Sequence, residues 1–142
     1  MNTPHLLLAT DLMEGSHSLG LKAIKIAKQL SATLSIIHVI EIPTSAHYAQ
    51  ALGFADILAP SVKSAQAVLA TLSDELGIPI ERQYVKDGCT VRLIIQLADT
   101  LNVDAIIIGS HSQNAFHTLL GSTASTILHK AKCDVLTLKT NV

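Results

Sequence analysis

The chain has 142 residues, a formal net charge of −1 with neutral histidines, and 49% hydrophobic residues. A chain of this length can bury roughly 70% of its unfolded surface, so we expect a single domain over residues 1–142 that needs no metal or disulfide staple. The near-zero charge excludes an electrostatic footprint for nucleic acid or an acidic membrane. No apolar stretch approaches the ~20 residues that span a bilayer, and no signal peptide is recognisable, which leads us to expect a cytoplasmic protein with free thiols at Cys89 and Cys133.

The first third of the chain is predicted to form a strand, a helix and a second strand. "HLLLAT" (5–10) and "TLSIIHVI" (33–40) are continuous apolar runs, typical of strands that are buried on both faces of a parallel sheet. His38 lies inside the second run and is expected to be a core histidine. Between the strands we expect a helix that is capped by Ser16 or Ser18. Its apolar face is formed by Leu19, Ala23, Ile26, Ala27 and Leu30.

The middle of the chain is less regular. Residues 41–60 contain three helix-breaking positions and are not predicted as one element, although 46–58 is compatible with helix. A helix whose apolar face runs from Val62 to Leu76 should end at Gly77. The alternating segment "IERQYV" (80–85) predicts an edge strand, followed by a turn at Asp87 and Gly88.

The last third repeats the strand and helix alternation. A helix is predicted from Val91 to Leu101, a strand over 105–109, a helix from Ser122 to Ala131 and a strand over 134–139. Alternation of this kind predicts the α/β class, with an open, mostly parallel sheet and helices on both faces.

Ligands of such sheets bind beyond the carboxyl ends of the strands, where the strand order reverses. If the first and fourth strands are neighbours there, Asp11 and Gly109 face one crevice. Asp11 could accept hydrogen bonds from a ribose or a base, or it could simply close a local turn. Gly109 could allow a positive φ or the close approach of a ligand, or it could end a strand.

The segment "GSTAS" (121–125) precedes or opens a helix. Its free N–H groups could bind phosphate, or Ser122 or Thr123 could merely cap the helix. The sequence has neither a Walker A motif nor G-x-G-x-x-G, and it has no G-x-S-x-G and no zinc-ligand spacing. The histidines are scattered; His111 and His117 share one loop, but no metal site is predicted.

The whole chain resembles the universal stress proteins, through "LLLATDL", "SIIHVI" and, most specifically, "VDAIIIGSHS" followed by "LLGSTASTILHKAKCDVLTLK". The resemblance implies a Rossmann-like fold with strand order 3-2-1-4-5. It also implies a homodimer that forms through the last strand, Asp134 to Lys139.

Nucleotide-binding members of that family carry G-x2-G-x9-G-[ST] after the fourth strand. Here Gly109, Gly121 and Ser122 match the motif, but Ser112 replaces the second glycine and only eight residues separate it from Gly121. Members of the A type lack the motif and are not thought to bind ATP. The binding residues implied for this chain are Asp11, Val39, Gly109, Ser110, His111, Ser112, Gly121, Ser122 and Thr123.

The resemblance thus implies a dimeric, cytoplasmic stress-response module that binds ATP or a related adenine nucleotide, with Mg²⁺ only as a companion of ATP. One alternative is an A-type protein that acts only through protein partners. Another is slow ATP hydrolysis, although the sequence supplies no convincing general base or metal pair. A phospho-acceptor receiver domain is disfavoured because Asp11 stands without an acidic cluster at the first strand's exit.

Overall fold

The computed structural model describes residues 3–41, 44–53, 59–110 and 122–140. Within these ranges, five parallel strands form one sheet of order β3-β2-β1-β4-β5, so the expected fold class and strand order are confirmed. The elements are β1 (His5–Ala9), α1 (Ser16–Leu30), β2 (Thr33–Glu41), α2 (Thr44–Ala51), α3 (Ala59–Leu76), a 3-10 turn (Ile80–Arg82), β3 (Gln83–Gly88), α4 (Thr90–Leu101), β4 (Ala105–Ser110), α5 (Ser122–Lys130) and β5 (Asp134–Lys139).

The central strand β1 is covered on both faces, which explains its unbroken apolar run. Leu8 packs into a cluster with residues of α1 and α3, and Leu7 packs into a second cluster with residues of α4 and α5. Both side chains are fully buried. Leu7 lies in register between Ser35 of β2 and Ile106 of β4, so β1 is the middle strand of the sheet and has a parallel neighbour on each side.

The edge strand β3 begins later than the alternating pattern predicted. Pro79 leads into the 3-10 turn over 80–82, where Ile80 is 75% exposed instead of pairing in the sheet. The predicted turn residues Asp87 and Gly88 are inside the strand, opposite Ile40 and Glu41 of β2. The predicted edge position is confirmed, but the predicted span of 80–85 was wrong by three residues at each end.

The start of α1 also differs from the prediction. The residue before the helix is Gly15, with a φ of 88°, and no side chain caps the first turn. Ser16 Oγ donates instead to the carbonyl oxygen of Met13 at 2.6 Å. The predicted core residue Leu30 is exposed, whereas α3 does end at Gly77, whose φ of 73° closes the helix.

A small polar cluster lies at the amino-terminal edge of the sheet, away from the strand ends that bind ligands in this fold class. His5 Nε2 is 2.7 Å from Ser35 Oγ, and the backbone N–H of His5 donates to Asp104 Oδ2 at 2.8 Å. Arg82 Nε donates to the carbonyl oxygen of Leu34 at 3.0 Å. Burial, together with the positive charge of Arg82, lowers the pKa of His5, so the folded protein favours the neutral imidazole.

Both cysteines are free thiols in the structure. Cys89 is exposed directly before α4, and Cys133 is half-buried, where burial raises the pKa of its thiol. Among the described residues, no helix is both long and apolar enough to cross a bilayer.

Candidate functional site

A cavity of about 350 Å³ opens at the carboxyl-terminal ends of β2, β1 and β4. This is the point at which the strand order reverses, because β2 and β4 leave β1 in opposite directions. The first turns of three helices complete the wall. The described lining residues are Ala9, Thr10, Asp11, Glu14, Gly15, Ser16, Leu19, His38, Val39, Glu41, Thr90, Ile94, Ile108, Gly109, Thr123, Ala124 and Thr140.

The loop after β1 is shaped by Asp11, an exposed residue that also lines the cavity. Its Oδ1 accepts a hydrogen bond from the backbone N–H of Met13 at 2.9 Å and one from Ser16 Oγ at 3.3 Å. Leu12, between them, has a φ of 59°, a conformation that L side chains rarely adopt. Asp11 therefore closes the local turn and borders the cavity at the same time.

The end of β2 contributes a histidine, an aliphatic side chain and a carboxylate. His38 Nδ1 is 2.9 Å from the carbonyl oxygen of Thr10, and because a carbonyl can only accept, this nitrogen is the donor. In the neutral ring, Nε2 is then an acceptor. Val39 is only 7% exposed and forms an apolar wall, while Glu41 Oε1 accepts a hydrogen bond from Thr90 Oγ1 at 3.0 Å.

The opposite wall is formed by β4 and the chain after β5. Gly109 does not have a positive φ, so that interpretation of this glycine was wrong. A Cβ at this position would lie 3.0 Å from Thr140 Cγ2 and 3.2 Å from Leu19 Cδ2. A side chain at position 109 would therefore require Thr140 and Leu19 to shift by a few tenths of an ångström, because three segments of the chain approach each other closely here.

The N-terminus of α5 faces the cavity through Thr123 and Ala124. The first N–H groups of a helix have no partners within the helix, and together with the helix dipole they attract anions. Thr126 Oγ1 donates back to the carbonyl oxygen of Ser122 at 2.8 Å, which is ordinary for a helix interior. This end of the cavity is therefore the one suited to a phosphate group.

Four of the nine residues predicted from the sequence line the cavity together: Asp11, Val39, Gly109 and Thr123. Ser110 and Ser122 are described but are not among the lining residues. Ser110 Oγ instead donates to the carbonyl oxygen of Leu138 at 3.4 Å, across the β4–β5 pair. The predicted residues His111, Ser112 and Gly121, and the histidine pair formed with His117, lie outside the described residues.

Seven polar residues of the cavity lining were missed by the sequence analysis: Thr10, Glu14, Ser16, His38, Glu41, Thr90 and Thr140. A signal for His38 and Glu41 was present, because both are polar residues near the carboxyl end of a strand predicted to neighbour the crevice. Thr90 and Thr140 follow strands that lie at the two edges of the sheet, and nothing in their sequence context points to the crevice. Within the described residues, no cluster of three or more His, Cys, Asp or Glu side chains is arranged to hold a metal ion.

The model of the universal stress protein family matches residues 2–139 of the chain. The chain belongs to the universal stress protein family. Among curated universal stress proteins, it is 36% identical over 138 residues to universal stress protein A homolog 1 of Coxiella burnetii, covering 96% of both chains. It is 38% identical over 120 residues to homolog 2 of the same organism, covering 80% of this chain and 81% of that one.

Solved structures of universal stress proteins have the same fold. A universal stress protein in complex with cAMP superposes with a TM-score of 0.71 at 20% identity, covering 99% of this chain and 100% of the other. The hypothetical protein MJ0577 gives a TM-score of 0.77 at 24% identity, covering 99% of both chains. At these identities the likeness concerns the fold.

Proposed function

We propose that this universal stress protein is a cytoplasmic, homodimeric binding module that takes an adenine nucleotide into the cavity at the ends of β2, β1 and β4. The observation that carries the proposal is that Asp11, Val39, Gly109 and Thr123 meet around one cavity of about 350 Å³. This volume falls in the range of small-molecule sites, which are about 300–1,000 Å³. A fold relative that binds cAMP supports an adenine ligand. The two free thiols fit a reducing compartment such as the cytoplasm.

Each part of the cavity suits one part of such a ligand. The buried side chain of Val39 offers an apolar surface for the base. The carboxylate of Asp11 accepts hydrogen bonds, as ribose hydroxyls require. The α5 N-terminus and Thr123 Oγ1 offer donors to a phosphate. From the sequence we add Ser110, His111, Ser112, Gly121 and Ser122 to the phosphate end of the proposed site.

The test is a calorimetric titration of ATP with Mg²⁺ into nucleotide-free protein. We expect a Kd below about 100 µM, that is, more than about 5 kcal/mol of binding free energy. Native mass spectrometry of freshly purified protein should reveal any nucleotide that is carried through purification. A titration without heat, together with the absence of carried nucleotide, would refute the proposal.

Asp11→Asn separates the binding role of this residue from its role in the turn. An asparagine oxygen can still accept from the N–H of Met13, so the turn is retained, but the charge is lost. Because a hydrogen bond to a charged group contributes about 1.5–3 kcal/mol, we expect the affinity to fall by about tenfold or more. Glu81→Gln, in the 3-10 turn after α3, removes the same charge from an exposed position outside the cavity lining and serves as the control. Equal affinities for all three proteins would contradict a contact between Asp11 and the ligand.

The proposed dimer forms through the open edge of β5. Within the described residues this strand pairs only with β4, and Leu136 on it is 38% exposed. An apolar, unpaired edge strand favours pairing with another chain. We propose that the partner is a second copy that adds its own β5 to this edge.

Light scattering tests the dimer directly. We expect twice the mass of the 15.1 kDa chain at micromolar concentration, and the mass of one chain after Leu136→Lys, which places a charge at the proposed edge. Leu128→Lys is the matched control, because Leu128 is a leucine of similar exposure (46%) on α5. A monomeric wild-type protein would refute the proposed dimer, and loss of the dimer in the control variant would place the interface elsewhere.

A further inference from the structure

The loop that brings Asp11 to the cavity begins at Thr10, and Thr10 is bonded to β2 through both of its backbone polar groups. Pairing between β1 and β2 ends with Ala9 opposite Ile37. Beyond this pair, the backbone N–H of Thr10 donates to the carbonyl oxygen of Ile37 at 2.9 Å. The carbonyl oxygen of Thr10 accepts from a side chain, because His38 Nδ1 lies 2.9 Å from it. The imidazole of His38 thus continues the contact between the two strands beyond their last backbone pair.

The bond from His38 acts directly on the entry of the chain into Asp11. The carbonyl group of Thr10 and the N–H group of Asp11 belong to one peptide group, and a peptide group is planar. A bond that orients the carbonyl therefore also orients the backbone at Asp11. Thr10 is only 7% exposed, and a buried carbonyl without a partner is costly. We therefore expect this peptide group to rearrange when the imidazole donor is removed.

The turn after Thr10 is shaped by local bonds. Asp11 Oδ1 accepts from the N–H of Met13 at 2.9 Å and from Ser16 Oγ at 3.3 Å, and Thr10 Oγ1 accepts from the N–H of Leu12 at 3.2 Å. Bonds within residues 10–16 give the turn its shape, but its placement relative to the sheet depends on contacts with other elements. The bond between His38 and Thr10 is such a contact, and it lies immediately before Asp11 in the chain.

We infer that His38 is a positioning residue for Asp11: from β2, its Nδ1–H group orients the Thr10 carbonyl and so places the Asp11 carboxylate at the cavity. This inference rests on the proposed function, because it concerns the geometry of the same site. It also gives the half-buried ring of His38 a role that the ring would not have as a simple core residue. Supporting bonds of this kind keep binding groups within about 0.5 Å of the geometry that a ligand requires.

The first readout is the position of the proton on His38. Because a carbonyl oxygen can only accept, the inference requires the proton of the neutral ring to be on Nδ1, whereas free neutral histidine favours Nε2. Long-range proton–nitrogen NMR spectra of the full chain at alkaline pH, where imidazoles are neutral, distinguish the two forms. A proton on Nε2 together with a bare Nδ1 would overturn the inference.

Three variants of His38 separate the donor from the size of the side chain. His38→Leu removes the donor and keeps a side chain of similar bulk. His38→Gln keeps an amide but moves it to the place of Nε2, so it also removes the bond and serves if the leucine variant does not fold. His38→Asn is the rescue, because its amide nitrogen can lie where Nδ1 lies and donate to Thr10. His129→Asn, at an exposed histidine in the last turn of α5 outside the cavity lining, is the matched control.

Two measurements on each protein report on Asp11. NMR hydrogen exchange of the Met13 amide, which donates to Asp11 Oδ1, should become at least about tenfold faster in His38→Leu and His38→Gln. The amide of Ala131, bonded to the carbonyl of Ile127 at the end of α5, should keep its rate, which distinguishes a local change from a general loss of stability. Calorimetric titration of ATP with Mg²⁺ should show about fivefold weaker binding in the same two variants. His38→Asn and His129→Asn should match the wild-type protein in both measurements.

The outcomes distinguish the inference from the proposed function. Unchanged Met13 exchange in His38→Leu and His38→Gln, or an asparagine variant that behaves like them, would refute the positioning role. Faster exchange with unchanged affinity would limit His38 to stabilising the loop and would overturn its role in the site. No heat of binding with the wild-type protein would refute the proposed function, and the exchange rate of Met13 would then still decide whether His38 positions Asp11.

Discussion

Gly20 lies where α1 packs closely against Leu76 of α3, and Gly20→Ala tests this contact. A Cβ at Gly20 would lie 2.5 Å from Leu76 Cδ1 and 3.1 Å from Leu76 Cδ2. Favourable carbon contacts are about 3.5–4.0 Å, so the new methyl group cannot fit unless Leu76 moves. Leu76 is only 7% exposed and belongs to the core cluster on this face of the sheet, which restricts its movement.

Two effects of opposite sign determine how much Gly20→Ala changes the free energy of unfolding. Overpacking a well-packed core costs about 1–3 kcal/mol, while alanine is favoured over glycine in a helix by about 1 kcal/mol. We therefore expect Gly20→Ala to lower the free energy of unfolding by about 1 kcal/mol. In a chain of this length, a loss of that size lowers the melting temperature by roughly 2–4 °C.

The assay is urea unfolding of a double-mutant cycle with Leu76→Ala. In the Leu76→Ala background the clash is absent, so Gly20→Ala should be stabilising there by about 1 kcal/mol, which gives a coupling energy of about 2 kcal/mol. Lys25→Ala, at an exposed position of α1, is the control and should show no coupling with Leu76→Ala. If Gly20→Ala stabilises the wild-type protein, or acts equally in both backgrounds, the packing argument is wrong.

Three further outcomes follow from particular contacts. Ser73 Oγ is buried and has no hydrogen-bond partner among the described residues, so Ser73→Ala should raise the free energy of unfolding by about 1 kcal/mol in urea titrations. A loss of stability would show that the hydroxyl is not an unsatisfied group. Gly109→Ala should destabilise the protein, and Thr140→Ser should relieve the effect by removing the closest methyl group, so thermal melts of the single and double variants check whether this glycine serves packing. The pKa of His5 is lowered in the folded state from its ordinary value of 6.5, so near and below pH 6.5 the unfolded chain binds more protons than the folded protein does. The free energy of unfolding should therefore fall as the pH drops through that region. His5→Gln should weaken this pH dependence, and an unchanged profile would contradict the lowered pKa of His5.

The fold was predictable because its strongest signals are local and repeated. The runs at 5–10 and 105–109 are mostly apolar at consecutive positions, which is typical of strands covered on both faces, and both form inner strands of the sheet. The strand order followed from the resemblance to a family. The start of β3 was not predictable from alternation, since Ile80 continues the apolar pattern yet is exposed in a turn set by Pro79.

Two routes predicted lining residues: the position at the end of a strand, for Asp11 and Gly109, and the resemblance to the family, for Val39 and Thr123. Asp11 and Gly109 were placed at the crevice because the first and fourth strands were expected to be neighbours, and they are. His38 was assigned to the core because it lies inside an apolar run. However, β2 ends at Glu41, soon after His38, so the half-buried ring of His38 lies at the cavity. The Nδ1 atom of that ring is hydrogen-bonded to the backbone carbonyl of Thr10.

The two interpretations of Asp11, a local turn or a ligand contact, turned out not to exclude each other. Asp11 Oδ1 accepts a hydrogen bond from the N–H of Met13, and this bond stabilises the loop in which the carboxylate borders the cavity. A local hydrogen bond of this kind positions the charge, so the turn is a condition for the proposed contact with ribose. Asp11→Ala should therefore lower both stability and affinity, whereas Asp11→Asn should lower affinity alone. Thermal melts and titrations of the two variants distinguish these roles. Equal losses of stability in both variants would mean that the negative charge of Asp11, and not its hydrogen bond with Met13, stabilises the loop.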